Sequence, residues 1–251
     1  MLTVGVDLAA EPERTAVAWV DWDDGQAVVR DLAFGAEDDL ILDAITEADK
    51  AGIDCPLGWP DEFIRFVNAH QHGSVPLPPG GLVKGWRREL ALRVTDLVVK
   101  AETGLTPLSV SADRIGYVAM RCAILMAELA RRGQPADRTG AGPVAEVYPA
   151  ASLKVWGLTH RGYKNPGRPG ELGKLMDELS AHTPFLKLEG VSAICRREHD
   201  AADALIAALA ARAVHRGLTL TPRDETEMAA ARTEGWVAIP RSGTRLGDLP
   251  G

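Results

Sequence analysis

The stretch Leu2–Leu8 constrains this chain more than any other segment, because it is almost unbroken in apolar, β-branched character yet carries a carboxylate, Asp7, near its end. A short run of this kind reads as a strand buried on both faces. Such a strand needs covering structure on each side of its sheet. Thr15–Trp22 and Gln26–Leu32 read as two further strands, and the Asp24-Gly25 step between them favours a tight hairpin. Leu40, Ile41, Ala44, Ile45 and Ala48 then recur at helical spacing within Asp38–Ala51. Gly52 is expected to end that helix, and the short strand Ile53–Pro56 follows, stopped by its proline. Three strands, a helix and a fourth strand in this order imply an α/β fold on a mixed sheet, antiparallel first and parallel afterwards.

The rest of the chain supplies helices and loops around that sheet. Helices are expected over Pro60–His70, Arg87–Glu102, Asp113–Arg132, Gly170–Ala181 and Glu198–His215. Ala145–Pro149 is expected as a short strand, Trp236–Pro240 as an edge strand, and Gly73–Gly85 and His160–Gly170 as loops. No repeat or long linker divides the 251 residues, so the expectation is one domain over 1–251 with an insertion at about 60–140. With 46% hydrophobic residues spread along the chain, disordered and collagen-like classes are excluded. No stretch approaches the ~18 uninterrupted apolar residues of a membrane span, and the N-terminus lacks the basic start of a signal peptide. No membrane partner is therefore expected. Three scattered cysteines, Cys55, Cys122 and Cys195, suggest reduced thiols in a cytoplasmic protein. The net charge of −7 argues against coating nucleic acid by bulk charge, but an enzyme that works through metal ions needs carboxylates.

Those carboxylates recur at strand ends. Asp7 and Asp54 each close an apolar strand, and ligands of open α/β sheets bind beyond such ends. An isolated aspartate there also serves as a cap or loop residue. Asp200 and Asp203 are three residues apart in the first turn of the last long helix, on one face of it. Acidic residues stabilise a helix start in any case. Here Ala201, Ala202, Ala204, Ala207 and Ala208 allow close approach to the sheet, which would point both carboxylates at the strand ends.

The segments GVDLA, TAVAW, GIDCPLGWP, EVYPAASL, HDAADAL and EGWVAIP, in this order from about Leu2 to Pro240, resemble the domain of unknown function 429 family of predicted ribonuclease H-like nucleases. HDAADAL also resembles the last catalytic helix of Holliday-junction resolvases. The resemblance implies a ribonuclease H-like fold whose metal ligands are Asp7, Asp54, Asp200 and Asp203. It implies Mg²⁺ or Mn²⁺ as cofactor and nucleic acid, DNA or RNA, as substrate. Hard oxygen ligands suit those ions. Two ions roughly 4 Å apart can activate water and stabilise the leaving oxygen of a phosphodiester.

Further candidates carry two readings each. Glu146, unusual in a short apolar strand, is either a fourth acidic ligand or the partner of an arginine. His199 shuttles protons or steers a metal-bound water, or is simply a surface residue. Arg93 and Asp96 contact substrate or form an i, i+3 pair on a helix surface. Arg196 and Arg197, like Lys84/Arg87/Arg88, Arg131/Arg132 and the His160–Arg168 stretch, hold a phosphate backbone or are solvated faces. Gly167–Lys174 lacks phosphate-loop spacing, His70-Gln71-His72 lacks zinc-ligand companions, and no G-x-S-x-G elbow occurs. A nucleotide-binding or phosphotransfer protein of the same fold is the alternative, although the Asp7–Glu11 turn has no glycine to cradle phosphates. A non-catalytic interaction protein is a third reading. The sequence leaves the oligomeric state open, a homodimer included.

Overall fold

The computed structural model describes residues 1–78, 80, 81, 84–135 and 137–251. Strands β1 (Leu2–Asp7), β2 (Ala16–Asp23) and β3 (Gln26–Phe34) form an antiparallel meander. Asp24 and Gly25 close its hairpin with φ of 35° and 79°, the geometry for which an Asp-Gly turn is suited. Helix α1 (Asp38–Glu47) leads into β4 (Lys50–Asp54), which lies parallel to β1. Helices α2 (Asp61–Gln71), α3 (Arg88–Ala91), α4 (Val94–Thr103) and α5 (Gly116–Arg131) intervene before β5 (Val144–Glu146), parallel to β4. Then come α6 (Pro149–Val155), α7 (Pro169–His182), β6 (Leu186–Lys187), α8 (Ser192–Cys195), α9 (His199–His215) and α10 (Glu225–Glu234). The sheet order is β5-β4-β1-β2-β3-β6, a mixed six-stranded sheet consistent with a ribonuclease H-like fold.

Strand alternation sorts side chains between two helical layers. Leu2, Val4, Val6, Val17, Trp19 and Ile53 face Ile41, Ile45, Leu125 and Leu129 of α1 and α5. Ala18, Val20 and Trp22 face α9 together with Leu175 and Leu179 of α7. The odd residues of β1 and the even ones of β4 therefore point at α9, and Asp7 and Asp54 are the last of each set.

Helix α9 is the centre of this second layer. Every residue from Asp200 to Ala213 is buried, so the helix has no solvent face and no need of one. Its alanines let it lie on the sheet backbone. A Cβ on Gly5 would stand 2.0 Å from the Ala204 carbonyl oxygen, and one on Gly52 2.6 Å from that of Ala207. Leu205, Ile206 and Leu209 are fully buried, each contributing about 1.5–3 kcal/mol. That outweighs anything a helix cap supplies, about 1 kcal/mol, and α9 has no side-chain cap at its start.

Several boundaries differ from the sequence expectation. Gly52 does not stop α1; the helix ends at Glu47, and Gly52 sits within β4 because only a glycine fits under Ala207. The helix expected over Arg87–Glu102 is broken at Leu92 and Arg93, both extended, because Arg93 turns inward and starts α4 anew. Trp236–Pro240 is not a strand: it touches the sheet through the single bridge Glu146–Val237 and meets Thr219 through Pro240. Helices α6 and α10 and strand β6 have no counterpart in the sequence expectation, being short and weakly periodic. Gly73–Gly85 has no helix or strand among its described residues, positions 79, 82 and 83 lying outside them. No helix among the described residues is long and apolar enough to cross a membrane.

Candidate metal centre

Asp7 and Asp54 are register partners at the ends of adjacent parallel strands. The pleat gives them the same face, and α9 brings Asp203 down onto it. Each of the three offers a carboxylate oxygen, and these oxygens all lie within 4.8 Å of one another. Asp7 and Asp54 are partly covered and Asp203 is fully buried. Rigid elements on three sides hold the group, so its members cannot move apart to relieve their repulsion.

The electrostatics record that crowding. Burial, reinforced by the Asp203 charge, pushes the Asp7 carboxyl well above the ordinary carboxylate range. Burial also raises Asp54, to about 7; Lys164 opposes the rise, while Asp203 and Glu146 add to it. Two counter-groups come from the loop between α6 and α7. The Tyr163 hydroxyl donates to Asp203 Oδ1 at 2.9 Å, and the Lys164 ammonium forms an ion pair with Asp203 Oδ2. Burial works against the Lys164 charge, but Asp203, Tyr163, Asp7 and Asp54 together hold it firmly protonated.

Asp200 does not join the three. It sits one turn earlier on α9, where Arg14 Nε donates to its Oδ2 at 2.7 Å and His199 Nδ1 lies 2.7 Å from Oδ1. Burial would raise it, but His199 and Arg14 hold Asp200 below its ordinary value. His199 flanks that pair and also meets Arg14 Nη2 at 3.1 Å. The four-aspartate ligand set implied by the resemblance is thus a cluster of three with Asp200 beside it, already neutralised by a cation.

Glu146 takes the second of its two readings. It lies on the neighbouring strand β5, in register with Ile53, and Arg93 donates to it at 2.6 and 2.8 Å while Leu57 N–H donates at 2.9 Å. Asp96 closes the same network, accepting from Arg93 Nη2 at 2.9 Å. The Arg93–Asp96 pair is therefore not on a helix surface: its side chains are 3% and 0% exposed. Both are spent on anchoring α4 to β5 and to the turn after Asp54, which leaves Asp96 no open face toward a substrate. Breaking a buried pair of this kind costs about 3–5 kcal/mol, so its role in holding the site's frame is substantial.

A cleft of about 420 Å³ opens over Asp7 and Asp54. Its walls include Arg114, His160, Arg161 and Lys164, with Leu108, Ile115 and Tyr148. Arg196 and Arg197 lie elsewhere, bonded to Asp177 and Glu198. Arg131 and Arg132 pair with Glu128 and Asp43 on the far helical layer. Of the basic groups read from the sequence, Arg93 and the His160–Arg168 stretch line the cleft among the described residues. Lys164 belongs to that stretch, whereas nothing in the local sequence of Arg114 or Tyr163 shows which strand end it will face.

The donor set fits a hard divalent cation. Three carboxylates on three elements converge within 4.8 Å, with Asp203 fully buried and its Oδ2 paired with the Lys164 ammonium, an excess of negative charge and oxygen donors that suits such an ion. A family model described as a protein of unknown function (DUF429) matches residues 5–227. No curated protein and no solved structure matches the chain.

Proposed function

The chain belongs to the DUF429 family of proteins of unknown function, and from that premise and the chemistry of the cleft we propose that it is a divalent-metal-dependent nuclease hydrolysing phosphodiester bonds. One observation carries the reading: Asp7, Asp54 and Asp203, far apart in sequence, present oxygens within 4.8 Å of one another, and Asp7 and Asp54 line a cleft that Arg114, Arg161 and Lys164 also line. Asp7, Asp54 and Asp203 would hold Mg²⁺ or Mn²⁺, the ions suited to all-oxygen ligands. The bound ion supplies an acidified water and a counter-charge for the departing oxygen.

The chain's own residues do the remainder. Tyr163 fixes the orientation of the Asp203 carboxylate through its hydroxyl. Arg14 and His199 hold Asp200 out of the cluster, which limits the negative charge a phosphodiester must approach. Arg114 and Arg161 both line the cleft, where they would bind phosphates of the substrate. Three free, buried cysteines accord with a reducing, cytoplasmic setting.

The test is incubation with labelled single-stranded, duplex and branched DNA and RNA in the presence of Mn²⁺. Cleavage of at least one substrate, dependent on the metal and abolished in Asp7→Asn, is expected. No cleavage of any substrate, or equal cleavage by Asp7→Asn, contradicts the proposal.

A further inference from the structure

Sites of this chemistry work with two ions or with one, and Lys164 bears on which applies here. Its stem runs in from the loop between α6 and α7, half-exposed, and its ammonium contacts Asp203 Oδ2 inside the cluster. The adjacent Tyr163 occupies Oδ1 of the same carboxylate and lies beneath the ammonium, its ring centroid 5.8 Å from Nζ. Lysine therefore enters the cluster on a loop whose neighbouring residue is itself anchored there. Two adjacent loop residues converging on one buried carboxylate differ from a solvated lysine that drifts toward negative charge.

Charge and ligand supply then point one way. With all three ionised, as a bound divalent ion favours, Asp7, Asp54 and Asp203 less the Lys164 ammonium leave two negative charges, which one such ion neutralises. Asp200 adds nothing to that balance, because Arg14 matches it. A second divalent ion would stand beside an ammonium, on a carboxylate whose oxygens are both already engaged.

We propose that Lys164 is the second cation of this site: the cluster holds one divalent ion, and the lysine supplies the positive charge that a second ion would provide. The inference rests on the metal-dependent reading above and deepens it. Lys164 faces the cleft, so its ammonium is in reach of a phosphate oxygen held there as well as of Asp203.

Mn²⁺ titration followed by the paramagnetic resonance of the free ion, on the full chain without nucleic acid, reads both stoichiometry and affinity. One ion per wild-type chain is expected. Lys164→Met should bind its ion at least about tenfold more tightly, because repulsion between an ammonium and a divalent ion a few ångströms apart is worth that much even in water. Lys164→Arg, which restores the charge, should return affinity toward the wild-type value. Two ions per wild-type chain, or a Lys164→Met affinity equal to wild type, overturns the role of Lys164 while leaving the metal site standing. No Mn²⁺ bound by either protein removes the metal site itself and this inference with it.

Discussion

Asp54 has a raised folded-state pKa, about 7, principally because it is buried. The sign of its effect on stability is opposite to that of a salt-bridged aspartate. Unfolded, the group ionises near 4; folded, it holds its proton until about 7. Between those values the folded state binds more protons, so stability falls as pH rises through the window. Asp7, also raised by burial and by the Asp203 charge, works in the same direction. Metal-free protein should thus gain thermal stability when pH is lowered from 8 to 6, and a divalent ion should abolish that gain by favouring the ionised carboxylates. Calorimetric melting at both pH values, with chelator and with Mn²⁺, checks it; a chelated protein that melts higher at pH 8 than at pH 6 contradicts it. At this scale the strand-end positions of Asp7 and Asp54 were legible in the sequence, since a carboxylate that closes an apolar run must find water or a cation at the sheet edge. Asp203 was legible from its place on a small-residue helix, but the separation of Asp200 from it was not. That depends on Arg14, 186 residues away in the chain. The links of Tyr163 and Lys164 to Asp203 were hidden for the same reason: the partner lies some 40 positions distant and the loop has no periodicity to read.

Elements set the reach of those side chains. Helix α9 touches β1, β2 and β4 without a spacer, and the carboxylates converge because the helix axis is that close. Gly5→Ala should force α9 off β1, since the new methyl carbon would fall 2.0 Å from the Ala204 carbonyl oxygen and 2.2 Å from the Ala208 nitrogen. A loss of about 3 kcal/mol or more is expected, at the upper end of overpacking costs, because backbone on both sides must yield. Urea unfolding measures it, and a variant as stable as wild type would show that the contact is looser than described. The alternation of β1 and the alanine pattern of α9 foretell this packing, whereas Gly52 gives a false signal. A glycine after a helical pattern is a common stop, and nothing local distinguishes it from a glycine required by a helix crossing overhead. Arg93 is similarly ambiguous: an i, i+3 pair reads as surface until Glu146 is known to lie opposite.

For the whole molecule, charge distribution matters more than its sum. The chain carries −7 overall, yet Arg114, His160, Arg161 and Lys164 gather around the cleft that contains Asp7 and Asp54. On the proposed function, a polyanionic substrate would be drawn to that cleft and not to the acidic chain as a whole, favouring site-directed contact over non-specific coating. The mixed sheet itself was legible from the first 56 residues, because strand and helix periods there are clean. The packing of α4 against α10 was not, being fixed by long-range bonds such as that from Val94 N–H to Glu234 Oε2 at 2.7 Å. The most direct measurement is anomalous diffraction at the manganese edge from crystals soaked in Mn²⁺. A peak bonded by oxygens of Asp7, Asp54 and Asp203 together is predicted; crystals that diffract well with no peak at that position would contradict the account.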